Sequence, residues 1–364
     1  ALALTAGALA AGARRLGAPW ALCRRPQRRR ALYVGASSAV AETIVPVPAD
    51  RKLMCPGDHR AETMAAIRRR QESPTDPDII GYSSGWTSLD SLYRVVPGEV
   101  TTITGTPGTG KSEFVLALVA RLCGRYENWR CGLCCFEVQS DELMKQLLEK
   151  RLGRRYTDFR HMHKEWEKAK EWLSTRFFRI GGDYESLSQA DLLSRVRFAI
   201  KKHSLTGVVM DPYNYFTRDR TQTETAFVSD LYTSFTSLAK ETKCHIWLVA
   251  HPTKRRSWGD AGKLSLYDIA GSANFYNKTD NGLVLVRGEW EDEARRTELT
   301  VYVDKVRNGE AGRQGDARLK FDWNSRTYSE VVSQPGRAPP AGRTAARQGG
   351  GQPAGAGQQG ARAA

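Results

Sequence analysis

Eight consecutive residues, Gly105, Thr106, Pro107, Gly108, Thr109, Gly110, Lys111 and Ser112, carry the strongest chemical signal in the chain. They match G-x-x-x-x-G-K-[ST] at every fixed position, follow the β-prone run VTTITG and open the helical run SEFVLALVARL. Glycine at 105, 108 and 110 lets the backbone turn tightly, so that its N–H groups and the following helix N-terminus can surround phosphate oxygens. Lys111 adds a mobile positive charge toward the β and γ phosphates, and the Ser112 hydroxyl is the expected Mg²⁺ ligand. The expected cofactors are therefore ATP, or another nucleoside triphosphate, and Mg²⁺.

Hydrolysis asks for two further carboxylates. Asp211 ends the apolar run GVVM, where an acid can organise the metal; its other reading is a turn-forming aspartate before Pro212. Glu137 closes CGLCCFE, the next β-prone run after the loop. A carboxylate at the C-terminal edge of a parallel sheet faces the ligand crevice and can orient and deprotonate water. An ordinary exposed strand-end glutamate is the alternative.

These groups can meet only if the runs that bear them lie side by side. From Ile79 onward, VTTITG, CGLCCFE, TRFFRIG, GVVMDPY, HIWLVAHP, NGLVLVRG and ELTVYVDKV alternate with helical stretches. That alternation predicts an α/β fold, a mainly parallel twisted sheet with helices on both faces. ARLKFDW and RTYSEV read as a C-terminal β-hairpin at the sheet edge. In HMHKEWEKAKEWL, Trp166, Ala169, Trp172 and Leu173 recur at helical spacing, which predicts an amphipathic helix packed on the sheet, with His161 and His163 solvated rather than bound to metal.

The expected organisation is a transit peptide over 1–41, a proline-broken linker with one short helix (His59 to Gln71) over 42–78, the ATPase domain over 79–330, and a disordered Gly, Pro, Gln and Ala tail over 331–364. The first segment holds seven arginines and no acid, the character of an organelle targeting sequence, although the tail shares the same bias. Ala1 is not a methionine, so a processed chain or a fragment is expected and a preceding domain stays open. The net charge of +15 lies mostly in these ends: between Glu42 and Glu330 there are 44 basic and 40 acidic residues, so bulk charge says little about nucleic acid. The apolar run from Ala1 to Ala13 is too short to span a bilayer, and a soluble protein without membrane contact is expected. Of the seven cysteines, Cys131, Cys134 and Cys135 form a CxxC-like cluster without a second ligand pair, so buried core thiols in a reducing compartment are expected rather than zinc.

In order and spacing, the run GWTSLDSLYRVVPGEVTTITGTPGTGKS, then FEVQS, VVMDPYN, WLVAHPTK, LYDIAGSANFYNKTDNGLVLVR and VDKVRNG resembles the hexameric RecA-fold replicative helicases, the group that includes Twinkle, the phage primase-helicases and bacterial DnaB. The resemblance covers about Ile79 to Glu330. It implies a RecA-like P-loop core in a homo-oligomeric, six-membered ring, unwinding duplex DNA 5′ to 3′ during organellar replication, in the mitochondrial nucleoid or alternatively in a plastid. Implied partners are single-stranded and forked DNA, an organellar DNA polymerase and a single-stranded DNA-binding protein. It further implies a γ-phosphate sensor at His251, a base sandwich of Arg287 and Phe321, and a trans-acting pair, Lys305 and Arg307, that reaches a neighbour's ATP site. DNA contacts are implied at Lys254, Arg255 and Arg256 and at Gly271, Ser272, Asn274 and Lys278, where basic side chains and loop amides suit phosphate tracking. A RecA- or KaiC-like ATPase, working in recombination or on protein partners, is the other reading of the same P-loop and sheet.

Overall fold

The structure is a computed structural model, and it describes residues 60–182, 188–212, 223–252, 264–269, 272–288, 292–293 and 295–331. Three helices come first, α1 (Arg60–Glu72), α2 (Pro77–Ile80) and α3 (Thr87–Asp90). The body then runs β1 (Val100–Gly105), α4 (Lys111–Arg125), β2 (Cys131–Cys135), α5 (Ser140–Leu152), α6 (His163–Arg176), β3 (Phe177–Arg179), α7 (Gln189–His203) and β4 (Gly207–Asp211). It continues through α8 (Glu224–Thr242), β5 (His245–Ala250), α9 (Ser272–Lys278), β6 (Asn281–Arg287), β7 (Glu298–Val306), β8 (Gly315–Asp322) and β9 (Thr327–Glu330). These strands form one sheet in the order β3-β2-β4-β5-β1-β6-β7-β8-β9. From β3 to β6 every pairing is parallel; β7, β8 and β9 add on antiparallel, the last two as the expected edge hairpin.

Both sheet faces are buried, and the strands alternate between two cores as the period of two requires. Ile103, Leu133, Val209, Trp247 and Val249 face α4 and its neighbours, whereas Val100, Cys134, Val208, Met210, Ile246 and Leu248 face the side of α7, α8 and α9. The Trp166 stripe packs as anticipated: Trp172 enters the first core and meets Phe177 of β3, while Trp166 and Ala169 close a smaller cluster with Leu148 and Phe159. Cys131, Cys134 and Cys135 are fully buried free thiols whose pKa values are pushed up by burial, and no metal-holding group of His, Cys, Asp or Glu occurs among the described residues. No described helix is long and apolar enough to cross a membrane.

The end of the sheet where β1 and β5 begin is tied by a buried polar chain. His245 is completely buried, and its Nδ1 lies 2.7 Å from the Val96 carbonyl. A carbonyl only accepts, so Nδ1 carries the proton and Nε2 accepts from the Thr101 hydroxyl at 2.9 Å. Tyr93 extends the chain, 3.0 Å from Thr101 Oγ1 and accepting from Trp247 Nε1 at 3.1 Å. Burial pulls the His245 pKa down to about 4 from 6.5. The neutral ring is thus favoured in the folded state, and its stabilising contribution is complete above about pH 6.5 and lost as the pH falls toward 4. We expect His245→Asn to flatten this dependence. Denaturant unfolding of both proteins between pH 7 and pH 4 should give a difference in stability that shrinks on acidification by up to roughly 3 kcal/mol. A pH-independent difference would remove His245 as the cause.

Candidate functional site

Strands β2, β4, β5 and β1 are neighbours, and their C-terminal ends bring Glu137, Asp211, His251 and the 105–112 loop to one edge. Gly105 closes β1 against β6: a Cβ there would meet the Leu285 carbonyl oxygen at 2.6 Å, which excludes any side chain. Gly110 has a φ of 94° and starts α4 without a side-chain cap, leaving the first helical N–H groups to an anion. Thr109 Oγ1 donates to Thr106 O at 2.6 Å and stiffens the turn, with Pro107 and Gly108 exposed at its tip. Lys111 is buried; its Nζ donates to Gly105 O at 2.9 Å and to Thr106 O at 3.2 Å. Burial lowers its pKa, and the nearby Asp211 and Glu137 oppose that shift.

Asp211 is 5% exposed, and burial raises its pKa to about 6, against a hydrogen bond from Ser112 and the charge of Lys111. Its own chain anchors β2, since Phe136 N donates to Asp211 O at 3.0 Å. Glu137 stands two residues beyond β2 rather than closing it, and its side chain is half exposed. His251 follows β5 directly, with Nε2 3.9 Å from Glu137 Oε1. Its pKa is lowered first by burial and then by Lys111, so the ring at this position favours its neutral form. Ser112 and Asp211 thus offer two hard oxygens in mutual contact beside an exposed turn of backbone amides, a donor set that fits Mg²⁺ with a triphosphate. Bound Mg²⁺ would supply charge neutralisation across the β and γ phosphates.

Beside Gly110 opens a cavity of about 500 Å³ lined by Arg287, Phe321, Trp323, Tyr328 and Tyr156 among others. The expected sandwich partners, Arg287 and Phe321, both line it, but Phe321 is only 6% exposed and packs between Trp323 and Tyr328. The guanidinium of Arg287 lies 6.0 Å from the Phe321 ring and 5.1 Å from the ring of Trp323, which is 46% exposed. Of the two rings beside Arg287, Trp323 is therefore the more exposed, and the sequence alone did not single it out; the FDW triplet was its only signal. Arg287 Nε donates to Arg296 O at 2.9 Å, while its Nη2 is buried without a partner among the described residues. The β8–β9 turn is clamped here by Arg326, itself at φ 50°, which reaches Glu113, Glu142 and Glu149, and Lys150 is ion-paired with Glu113.

The trans-acting candidates sit at the opposite end of the sheet. Val306 pairs with Asn281, and Asn281 pairs with Thr101 at the start of β1, four residues below the Gly105–Leu285 pair. Four residues of strand are about 13 Å. Lys305 and Arg307 share a face, as their i, i+2 spacing suggested, and both grip the end of α9: Lys305 Nζ donates to Tyr276 O at 2.5 Å, and Arg307 Nη2 to Asn277 O at 3.1 Å. Burial lowers the Lys305 pKa, followed by the charge of Arg307.

Of the implied DNA contacts, Lys254, Arg255, Arg256 and Gly271 lie outside the described residues, and Ser272 begins α9. Lys278 is engaged within the subunit. Its ammonium donates to Ser229 O at 2.9 Å, Ser229 Oγ at 2.7 Å and Thr233 Oγ1 at 2.9 Å, so its three N–H groups staple α9 to α8. Asn274 does similar work, donating to Thr225 O at 3.0 Å.

Residues 81–330 match the DnaB-like helicase C terminal domain. Over 266 residues the chain is 38% identical to the Twinkle homolog protein, chloroplastic/mitochondrial, of Arabidopsis thaliana, covering 70% of this chain and 37% of that relative. The chain thus spans little more than a third of that protein's length. Among solved structures, one described as an ATPase domain is similar with a TM-score of 0.61 at 17% identity, covering 75% of this chain and 98% of that one. A DnaB-like replicative helicase, solved in a study of its interactions with primase, gives 0.60 at 18% identity, covering 74% and 66%. At those identities the likeness establishes the RecA-like fold, and the sequence match over 81–330 establishes the lineage: the chain belongs to the DnaB-like helicase C-terminal domain family.

Proposed function

We propose that this chain is the ATP-driven motor of a ring-shaped replicative DNA helicase, hydrolysing ATP with Mg²⁺ between subunits while it tracks along single-stranded DNA 5′ to 3′ and opens a forked duplex. The observation that carries the reading is the division of the catalytic groups between two ends of one sheet. Lys111, Ser112, Asp211, Glu137 and His251 gather at the C-terminal edge, while Lys305 and Arg307 lie at the far end, too distant to serve their own P-loop. For Lys305 and Arg307 to neutralise charge on a transferred phosphoryl group, they must act on a neighbouring copy, which a closed ring supplies at each interface. In the assembled site, Lys111 and the loop amides hold the phosphates, Ser112 and Asp211 hold the metal, and Glu137 orients the attacking water, with His251 next to it reading the γ phosphate. Arg287 and Trp323, with Phe321 behind, take the base. The name of the Arabidopsis relative and the acid-free arginine-rich segment 1–41 support an organellar setting, mitochondrion or plastid, with an organellar polymerase and a single-stranded DNA-binding protein as working partners.

Glu137→Gln should retain ATP and DNA binding and lose turnover by on the order of 10²- to 10⁴-fold, because only the water-activating charge is removed. Steady-state ATPase together with nucleotide binding measured by fluorescence anisotropy checks this; normal turnover would require another base. For Arg307→Ala, turnover should drop on the order of 10³-fold with little change in nucleotide affinity. Mixing Arg307→Ala chains with Lys111→Ala chains, each inactive alone, should restore part of the ATPase at ring-forming concentration, since some interfaces then hold an intact Lys111 and an intact Arg307. Unwinding of a forked duplex, with strand exchange between homologous duplexes as the control, separates the helicase from a recombinase. Mixed rings that stay inactive at every ratio would count against the trans assignment.

A further inference from the structure

A buried carboxylate stands behind the half-exposed Arg307. Asp280, the residue before β6, is 4% exposed. Its Oδ2 accepts from Val100 N at 2.9 Å and its own N–H donates to Val100 O at 3.0 Å. Its Oδ1 pairs with Arg307 Nη1 at 3.0 Å, and its carbonyl accepts from Arg307 N at 3.0 Å. One residue is thus fastened by two bonds to the first residue of β1 and by two more to Arg307. A carboxylate this deeply buried needs a compensating charge, and Arg307 provides it. The neighbouring acid, Glu99, accepts from Asn281 Nδ2 at 2.8 Å, and burial pushes its pKa up, which weakens it as a rival anion. With Nη1 on Asp280 and Nη2 on the Asn277 and Thr279 carbonyls, the guanidinium plane is fixed at several points while half of the side chain stays exposed.

We propose that Asp280 is the positioning residue for Arg307. An arginine loses rotamer freedom when it docks on a phosphate, and one already held by a buried carboxylate has lost it before the neighbour arrives. Because Asp280 also grips Val100, it ties the arginine given to a neighbour to the strand that ends in the subunit's own nucleotide loop. This rests on reading Arg307 as acting across the subunit boundary.

Asp280→Asn is isosteric, keeps an acceptor for the Val100 amide and removes the charge. Assembled rings of this variant should show a KM for ATP within about twofold of normal and a kcat lower by roughly 10- to 100-fold, the range for one lost charge-assisted hydrogen bond. Activity should return on mixing with Lys111→Ala chains, and Asp280→Asn should add no further loss in an Arg307→Ala background. Asp280→Glu, which keeps the charge, should outperform Asp280→Asn; a residue that merely fills volume would show the reverse order, and this comparison stands even if the asparagine variant assembles poorly. Independent, multiplying losses in the double variant, or glutamate ranking below asparagine in intact rings, would overturn the positioning role and leave the Arg307 assignment standing. Normal turnover in Arg307→Ala alone would instead remove the trans reading, and the role of Asp280 with it.

Discussion

The length and rigidity of β1 govern the rest of the molecule. It is the central strand of the sheet, paired over Val100–Thr104 to β5 on one side and over Thr101–Gly105 to β6 on the other, so its two ends are held about 17 Å apart. At one end Gly105 turns into the phosphate loop; at the other Val100 holds Asp280, and through it Arg307. Among the described residues, no side chain bridges that separation within a subunit. In the proposed ring the P-loop is therefore half a site, completed by the Lys305 and Arg307 surface of a second copy.

Electrostatics at the loop end follows from burial. Lys111 would resist desolvation alone, and Asp211 and Glu137 offset the cost; Asp211 in turn is pushed toward its neutral form and is restrained by Ser112 and Lys111. Each group is out of balance by itself and acceptable together, which is why removing any one charge should disturb the others more than its own contacts suggest. His251 beside this set is shifted toward its neutral form, first by burial and then by the charge of Lys111.

At the other end the same logic ties the two cations to a short helix. Lys305 and Arg307 donate to carbonyls at the end of α9, where a helix leaves its last C=O groups unsatisfied and a cation is favoured. Lys278 and Asn274, by contrast, are committed to α8. The short helix is thus held by the β7 cations at its C-terminal end and by α8 along its side.

By itself the sequence determined the local elements and the loop chemistry. The order of the runs, the period of two within them, and the G-x-x-x-x-G-K-S spacing all act between residues close in the chain, so the strands, the helix after the loop and the amphipathic stripe of Trp166, Ala169, Trp172 and Leu173 were legible before any coordinates. That Asp211 and Glu137 stand beside the loop emerged only from packing, because strand order decides which C-terminal ends are adjacent. Trp323 and Asp280 were not legible: each gains its meaning from a partner far along the chain, Arg287 for one and Val100 for the other. The engagement of Lys278 was hidden for the same reason, since α8 supplies its three acceptors 45 to 49 residues away. Tertiary structure decided which charges are spent inside the subunit and which remain to be offered outside it, because that depends on burial, and burial is set by contacts that short-range spacing does not encode.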